Sequence, residues 1–116
     1  MISTSKKVLI PREDNWIEKV YTLVRRIPKG KVTNYGALAD CIGSRLTSRM
    51  IGWAMNKAHN AKPKVPAHRV VNRNGVLTGK YHFASPTLMQ ELLEAEGITV
   101  VDDKIINFKT HFWYPS

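Results

Sequence analysis

The stretch "TNYGALADCIGSRLTSRMIGWAMNK", Thr33 to Lys57, decides how this chain folds. Leu38, Ala39 and Ile42 recur at the helical period, and so do Met50, Ile51, Ala54 and Met55, which gives two short segments with one apolar face each. Thr33 can cap the first helix, Gly43 suits the turn beyond its end, and the second runs from about Thr47 to Lys57. Only "GSRL" separates them. Two short helices joined by a tight glycine-containing turn, with Arg49 early on the second, read as a helix-turn-helix over about residues 33–58. Cys41 falls on the inward-looking side of the first helix and is expected to be a small buried core residue.

Working outward, Trp16, Ile17, Val20, Leu23, Val24 and Ile27 predict a helix from Asp14 to Ile27, stopped by Pro28 and Gly30. Downstream, Asn60 to Pro66 carries two prolines and reads as an extended crossing segment. "HRVV" and "VL" flank "NRNG", so a small hairpin is expected there, with glycine available for a positive φ. "GKYHFA" reads as a loop. Ser85 and Pro86 supply an N-cap and first-turn pair for a final amphipathic helix that ends at Gly97. "ITVVDDKIINF" predicts a last hairpin, and "KTHFWYPS" an aromatic tail packed on the domain. The expected fold is α+β, mainly α: a single winged helix-turn-helix-like domain over residues 1–116, with small β-hairpins.

Eighteen basic residues against nine acidic ones give a net charge of +9, and the excess is concentrated in the middle of the chain. From Arg25 to Lys80 the cations Arg25, Arg26, Lys29, Lys31, Arg45, Arg49, Lys57, Lys62, Lys64, Arg69, Arg73 and Lys80 are opposed by Asp40 alone. Such a block is the footprint of a polyanion-binding surface, which gains affinity by releasing counterions from phosphates. No apolar run approaches the ~20 residues that span a bilayer, and the N-terminal apolar run before Pro11 is too short for a signal-peptide core. A cytoplasmic, bacterial-like protein without membrane contact is expected. The single cysteine leaves no internal disulfide, and no Cys or His pairs stand at zinc-ligand spacing.

A second stretch, "VPAHRVV" from Val65 to Val71, looks like an active-site segment with an inert alanine where a reactive side chain would stand. Taken singly its neighbours are ordinary: His68 could be a hydrogen-bonded core residue, and His59, His82 and His111 read as surface or loop. Tyr35 is either a packing aromatic or a DNA contact, and Arg49 is best placed to meet nucleic acid.

Taken together, "IPKGKVTNYGALA", "SRMIGWAM", "VPAHRVV", "NGVLTGKY" and "LLEAEGI" resemble, in order, the C-terminal domain of the O6-alkylguanine-DNA alkyltransferases, over about Trp16 to Ile98. That family's central motif is Pro-Cys-His-Arg-Val, and its cysteine takes the alkyl group from guanine and is consumed. Here the motif reads Pro66, Ala67, His68, Arg69, Val70. A methyl side chain has no lone pair to accept an alkyl group, so the transfer reaction is absent at this position. What remains resembles the alkyltransferase-like proteins, non-enzymatic relatives that bind alkylated guanine and flag it for nucleotide excision repair. Most of these carry tryptophan at the position of Ala67, and the smaller side chain here implies room for bulkier adducts.

The resemblance also assigns roles. Tyr35 would promote rotation of the nucleotide out of the stack and Arg49 would fill the vacated space, since a planar cation both stacks and donates hydrogen bonds. Gly52 and Ala54 would let the second helix approach the minor groove; Trp53 among them is unexpected and receives no role. Arg69 is counted with the DNA-binding residues. The lesion pocket, about residues 65–85, would be floored by Pro66 and Ala67, with carbonyls near Ala67 and Val70 accepting from guanine, and with Tyr81 and Ser85 in its wall. His68 and Glu96 would remain as a hydrogen-bonded pair without a thiol to activate, and Asn60 sits one residue from the family's turn-locking asparagine.

The partners implied are double-stranded DNA containing alkylated guanine and nucleotide excision repair proteins, with no cofactor or metal. A monomer, nucleoid-associated when bound, is expected. Two other classes stay open at the level of sequence. One is a dealkylating enzyme using Cys41 or a water activated by His68; the other is a helix-turn-helix regulator reading a specific operator.

Overall fold

The computed structural model describes residues 16–43 and 45–116. Helix α1 covers 16–25, and the amides of Arg26 and Ile27 still bond to the carbonyls of Leu23 and Val24 before Pro28 ends the run. Asp14 lies outside the described residues. The face carrying Val20, Leu23, Val24 and Ile27 is buried as its spacing predicts, and the buried Tyr21 hydroxyl donates to the Ala54 carbonyl at 3.0 Å. That bond ties α1 to the helix-turn-helix.

Strand β1, Thr33–Asn34, leads directly into α2, Tyr35–Ile42, and α3, Ser48–Asn56, follows after the short turn. Thr47 caps α3 by accepting from the Met50 amide at 3.2 Å. For α2 the expectation is corrected: Asn34, not Thr33, is the cap, its carboxamide oxygen accepting from the Ala37 amide at 2.8 Å. Thr33 is drawn instead into β1 and is fully buried. Cys41 is exposed rather than part of the core. At about 100° per residue it falls well round the helix from the buried Leu38 and Ala39, at the edge of the apolar face.

Strand β2, Val70–Val71, does not form the expected hairpin with the chain after "NRNG". It pairs in parallel with β1, Thr33 opposite Val70 and Asn34 opposite Val71. The physical reason is burial on both faces: Val70 joins a core with α1, α2 and α3, while Val71 faces a second core with Leu77, Met89, Leu93 and Ile98. The turn itself forms. The Asn72 side-chain oxygen accepts from the amides of Asn74 and Val76, both at 2.9 Å, and Gly75 takes φ +77° where an added Cβ would lie 3.0 Å from the Phe108 ring. Val76 then bridges antiparallel to Lys104.

Helix α4 runs Leu88–Ala95, so it starts later than Ser85 and Pro86 predict. Those residues form a turn in which the Ser85 carbonyl accepts from Leu88 at 3.3 Å, and Thr87 is the capping position. The predicted hairpin is present as β3, Val100–Val101, and β4, Lys104–Ile105. Asp102 and Asp103 at φ +52° and +64° supply the two left-handed positions of its tight turn. After the short α5, Phe108–His111, the tail packs on the domain. Val32 donates to the His111 carbonyl at 2.9 Å, Trp113 donates to the Val32 carbonyl at 2.7 Å, and the Trp113 ring lies against the first core. Among the described residues no helix is long and apolar enough to cross a membrane.

Candidate nucleic-acid interface

Helix α3 buries Ile51, Ala54 and Met55, which leaves Arg49, Gly52, Trp53 and Asn56, three and four residues apart, on its outer side. Arg49 is exposed, and space is open where a Gly52 side chain would stand. Ala54 is 0% exposed and belongs to the core, so its assignment to the groove-facing surface is corrected. The helix carries no acidic residue. Of the basic block, Arg25 donates to the Pro63 carbonyl, Lys31 to the Thr110 carbonyl and Lys80 to Asp103. Arg45, Arg49, Lys62, Lys64 and Arg73 make no hydrogen bond or ion pair with the described residues.

Arg69 is one of the cations the fold uses internally. Its guanidinium holds the Glu96 carboxylate through Nε and Nη2, at 2.8 to 3.2 Å, and donates through Nη1 to the Ile27 carbonyl at 2.9 Å. Arg69 therefore also braces the chain after α1 against the end of α4, a role the sequence reading did not give it. Glu96 also accepts from the Gly30 amide at 2.9 Å and from His68 Nε2 at 2.7 Å. Burial pushes the Glu96 carboxyl up, but the bonds from Arg69, Gly30 and His68 outweigh it and hold it at about 2. Burial lowers the His68 pKa despite the opposing bond to Glu96, so the neutral imidazole donates to an ionised carboxylate. The expected His68–Glu96 pair is present, with Arg69 as a third member.

Ala67 is 8% exposed, on a single 3-10 turn, Ala67–Arg69, just ahead of β2. It lies in the lining of two crevices. The narrow one, of about 10 Å³, is lined by Tyr35, Met55, His59, Val70, Gly79, Phe83 and Met89 among others. The wide one, of about 470 Å³, has His59, Lys64, Val65, His68, His82, Phe83, Leu88 and Leu92 in its wall. Tyr35 sits where α2 begins, its hydroxyl 3.5 Å from Thr78 Oγ1 and close enough to Gly79 that a Cβ there would be 3.2 Å away.

The fold thus gathers Tyr35, Ala67 and Val70, and separates others from them. Pro66 turns to a neighbouring cleft with Arg25, Lys64, His68 and Arg69. Tyr81 is 76% exposed with Lys80 over its ring, and neither it nor Ser85 lines the Ala67 crevices, which corrects both wall assignments. Their places are taken by Phe83, which packs against both cores, and by His59 and His82. The His59 and Phe83 rings meet edge to face at 4.6 Å. Sequence reasoning missed these three and Met55, Gly79 and Met89. Met55 and Gly79 stand inside the recognised motifs, but for His59 and Phe83 no local signal exists. Cys41 lines a different cleft, with Glu18, Lys19 and Arg26. Among the described residues no three His, Cys, Asp or Glu side chains are placed to hold a metal ion.

A basic helix-turn-helix whose second helix leaves its outer face open, with the Ala67 crevices close by, has the form of a DNA-binding domain. The pattern of the 6-O-methylguanine DNA methyltransferase DNA-binding domain matches residues 15–98. Alkyltransferase-like protein 1 of Schizosaccharomyces pombe is 32% identical over 108 residues, covering 90% of this chain and 99% of that protein. The DNA base-flipping protein of Escherichia coli is 32% identical over 104 residues, 88% of this chain and 77% of that one. The crystal structure of S. pombe Atl1 in complex with damaged DNA containing O6-carboxymethylguanine aligns with a TM-score of 0.73 at 33% identity, covering 88% of this chain and 97% of the other. The chain belongs to the 6-O-methylguanine DNA methyltransferase DNA-binding-domain family, in its alkyltransferase-like group.

Proposed function

We propose that this protein recognises O6-alkylated guanine in duplex DNA, draws the nucleotide out of the stack and holds it without removing the alkyl group, flagging the site for nucleotide excision repair. The observation that carries this reading is Ala67, a methyl side chain in the wall of both crevices at the position where the family's motif has its acceptor cysteine. The residues found around it include no thiol, and Cys41 lies in another cleft. Without a leaving step the complex persists, which is what a repair assembly needs in order to find the site.

Binding must offset the few kcal/mol lost when a nucleotide leaves the duplex. The unpaired cations supply general affinity through the phosphates, and this part falls steeply with salt. Arg49, unencumbered on the outer face of α3, fills the vacated stack, while Tyr35 stands in the narrow crevice on Ala67, next to the wide one that takes the base. Lesion preference has two sources. An O6-alkylated guanine pairs poorly and is cheaper to extrude, and its alkyl group gains about 0.8 kcal/mol per buried methylene. The crevice of about 470 Å³ beside Ala67 supports acceptance of bulky adducts.

The test is equilibrium binding, at one stated salt concentration, to two duplexes that differ only in O6-methylguanine versus guanine, followed by mass spectrometry of both protein and DNA. Tighter binding to the lesion with its methyl retained is expected. A methylated protein or a demethylated oligonucleotide would show an enzyme, and equal affinities would show a general DNA binder.

A further inference from the structure

Trp53 has no role in the reading above, yet it is the largest side chain on the exposed side of α3. It stands one helical turn after Arg49 and is 48% exposed, whereas Ile51, Ala54 and Met55 of the same helix are buried. Its ring leans on Trp16 of α1, centroids 6.2 Å apart at 43°, and the Lys57 ammonium sits 5.0 Å from the ring centroid. Trp16 packs on part of the indole and the Lys57 ammonium sits over its ring, yet about half of the residue stays open to solvent. An indole braced in this way makes a preset apolar surface, flanked along the helix by Arg49 and Lys57 with no carboxylate on α3. That charge pattern suits a polyanion whose backbone alternates apolar sugar with phosphate.

We infer that Trp53 is a second DNA-contacting residue of α3, whose indole packs against the deoxyribose rings of the groove wall while Arg49 enters the stack and Lys57 meets a phosphate. The inference rests on the DNA-binding reading. About 40° separates Trp53 from Arg49 around the helix, and Trp16 holds the indole from behind. It therefore meets the wall of the groove, not the base stack. The contact is apolar and releases no counterions, and the sugars are the same beside a lesion or an intact guanine. It raises grip on all duplexes and leaves lesion preference to Arg49 and the crevice.

The experiment measures affinity of wild type, W53A and K57A for lesion and undamaged duplexes across a salt series. W53A is expected to weaken both duplexes by the same factor, roughly tenfold, as loss of several tens of Å² of apolar burial implies, with the slope of log K against log salt unchanged; K57A is expected to reduce that slope by about one. Because Trp53 also packs on Trp16, a second measurement keeps the fold out of the result. In the W16F/W113F double variant Trp53 is the only tryptophan, and duplex binding is expected to cut its acrylamide quenching at least twofold. Unchanged affinity in W53A, or unchanged quenching on binding, overturns the inference. Loss confined to the lesion duplex also overturns it by placing Trp53 at the flipped nucleotide. If wild type binds neither duplex, the DNA-binding reading itself fails.

Discussion

His68 Nε2 donates to Glu96 Oε2 at 2.7 Å, and the same carboxylate is clasped by Arg69, the next residue along. One acidic side chain beyond the end of α4 thus fixes two consecutive residues of the turn that carries Ala67.

This network predicts how stability depends on pH. A carboxyl held at about 2 instead of 4.5 contributes up to about 3 kcal/mol, fully present above pH 4.5 and lost as pH falls toward 2. The lowered pKa of His68 acts in the same direction, since its neutral form is favoured by folding and that contribution fades below its ordinary 6.5. Urea unfolding across this range is expected to show acid destabilisation. Glu96→Gln should cost about 3 kcal/mol at neutral pH and flatten the profile below pH 4.5; an unaltered profile would remove Glu96 from the account.

Thr33 is fully buried, and its hydroxyl has no hydrogen-bond partner among the described residues. An unpaired buried hydroxyl keeps its desolvation cost without a return, so Thr33→Val is expected to stabilise the protein by about 1 kcal/mol. Valine also suits a strand position beside Val70. A drop in denaturation midpoint would mean the hydroxyl is bonded after all.

Arg49 is exposed and makes no hydrogen bond or ion pair with the described residues. Arg49→Ala should leave stability within about 0.5 kcal/mol and weaken binding to the lesion duplex by roughly tenfold or more, with a smaller effect on undamaged DNA. Fluorescence anisotropy with both duplexes reads this out; parallel losses would reduce Arg49 to a phosphate contact.

The wide crevice beside Ala67 makes a size prediction. Ala67→Trp fills part of the about 470 Å³ and should weaken binding of an O6-benzylguanine duplex by roughly tenfold, the loss of a few buried carbon atoms, while undamaged DNA is bound as before. Equal binding of the bulky adduct by both proteins would place the adduct elsewhere.

The fold was most readable where local chemistry is sufficient. The periodic faces of α1, α2 and α3, the Thr47 cap and the final hairpin follow from residues within one or two turns of each other. Errors arose where a distant segment competes for a local group. Asn34 took the cap because the Thr33 side chain is turned into the core while Asn34, though paired with β2 as well, keeps its side chain free beside α2; Val70–Val71 left the "NRNG" turn for a parallel partner because both its faces could be buried there.

By itself the sequence determined the basic helix-turn-helix, the ordered motifs and the alanine at the centre of "VPAHRVV", since charge, period and residue identity are local properties. Only the tertiary structure decided which cations are left for DNA. It spent Arg69 on Glu96, since a buried carboxylate needs a partner, and turned Ala54 to the core. It also walled the Ala67 crevices with His59 and Phe83, brought there by separate loops. Pocket walls are assembled from side chains far apart in the chain, and nothing in their neighbours' sequence records that meeting.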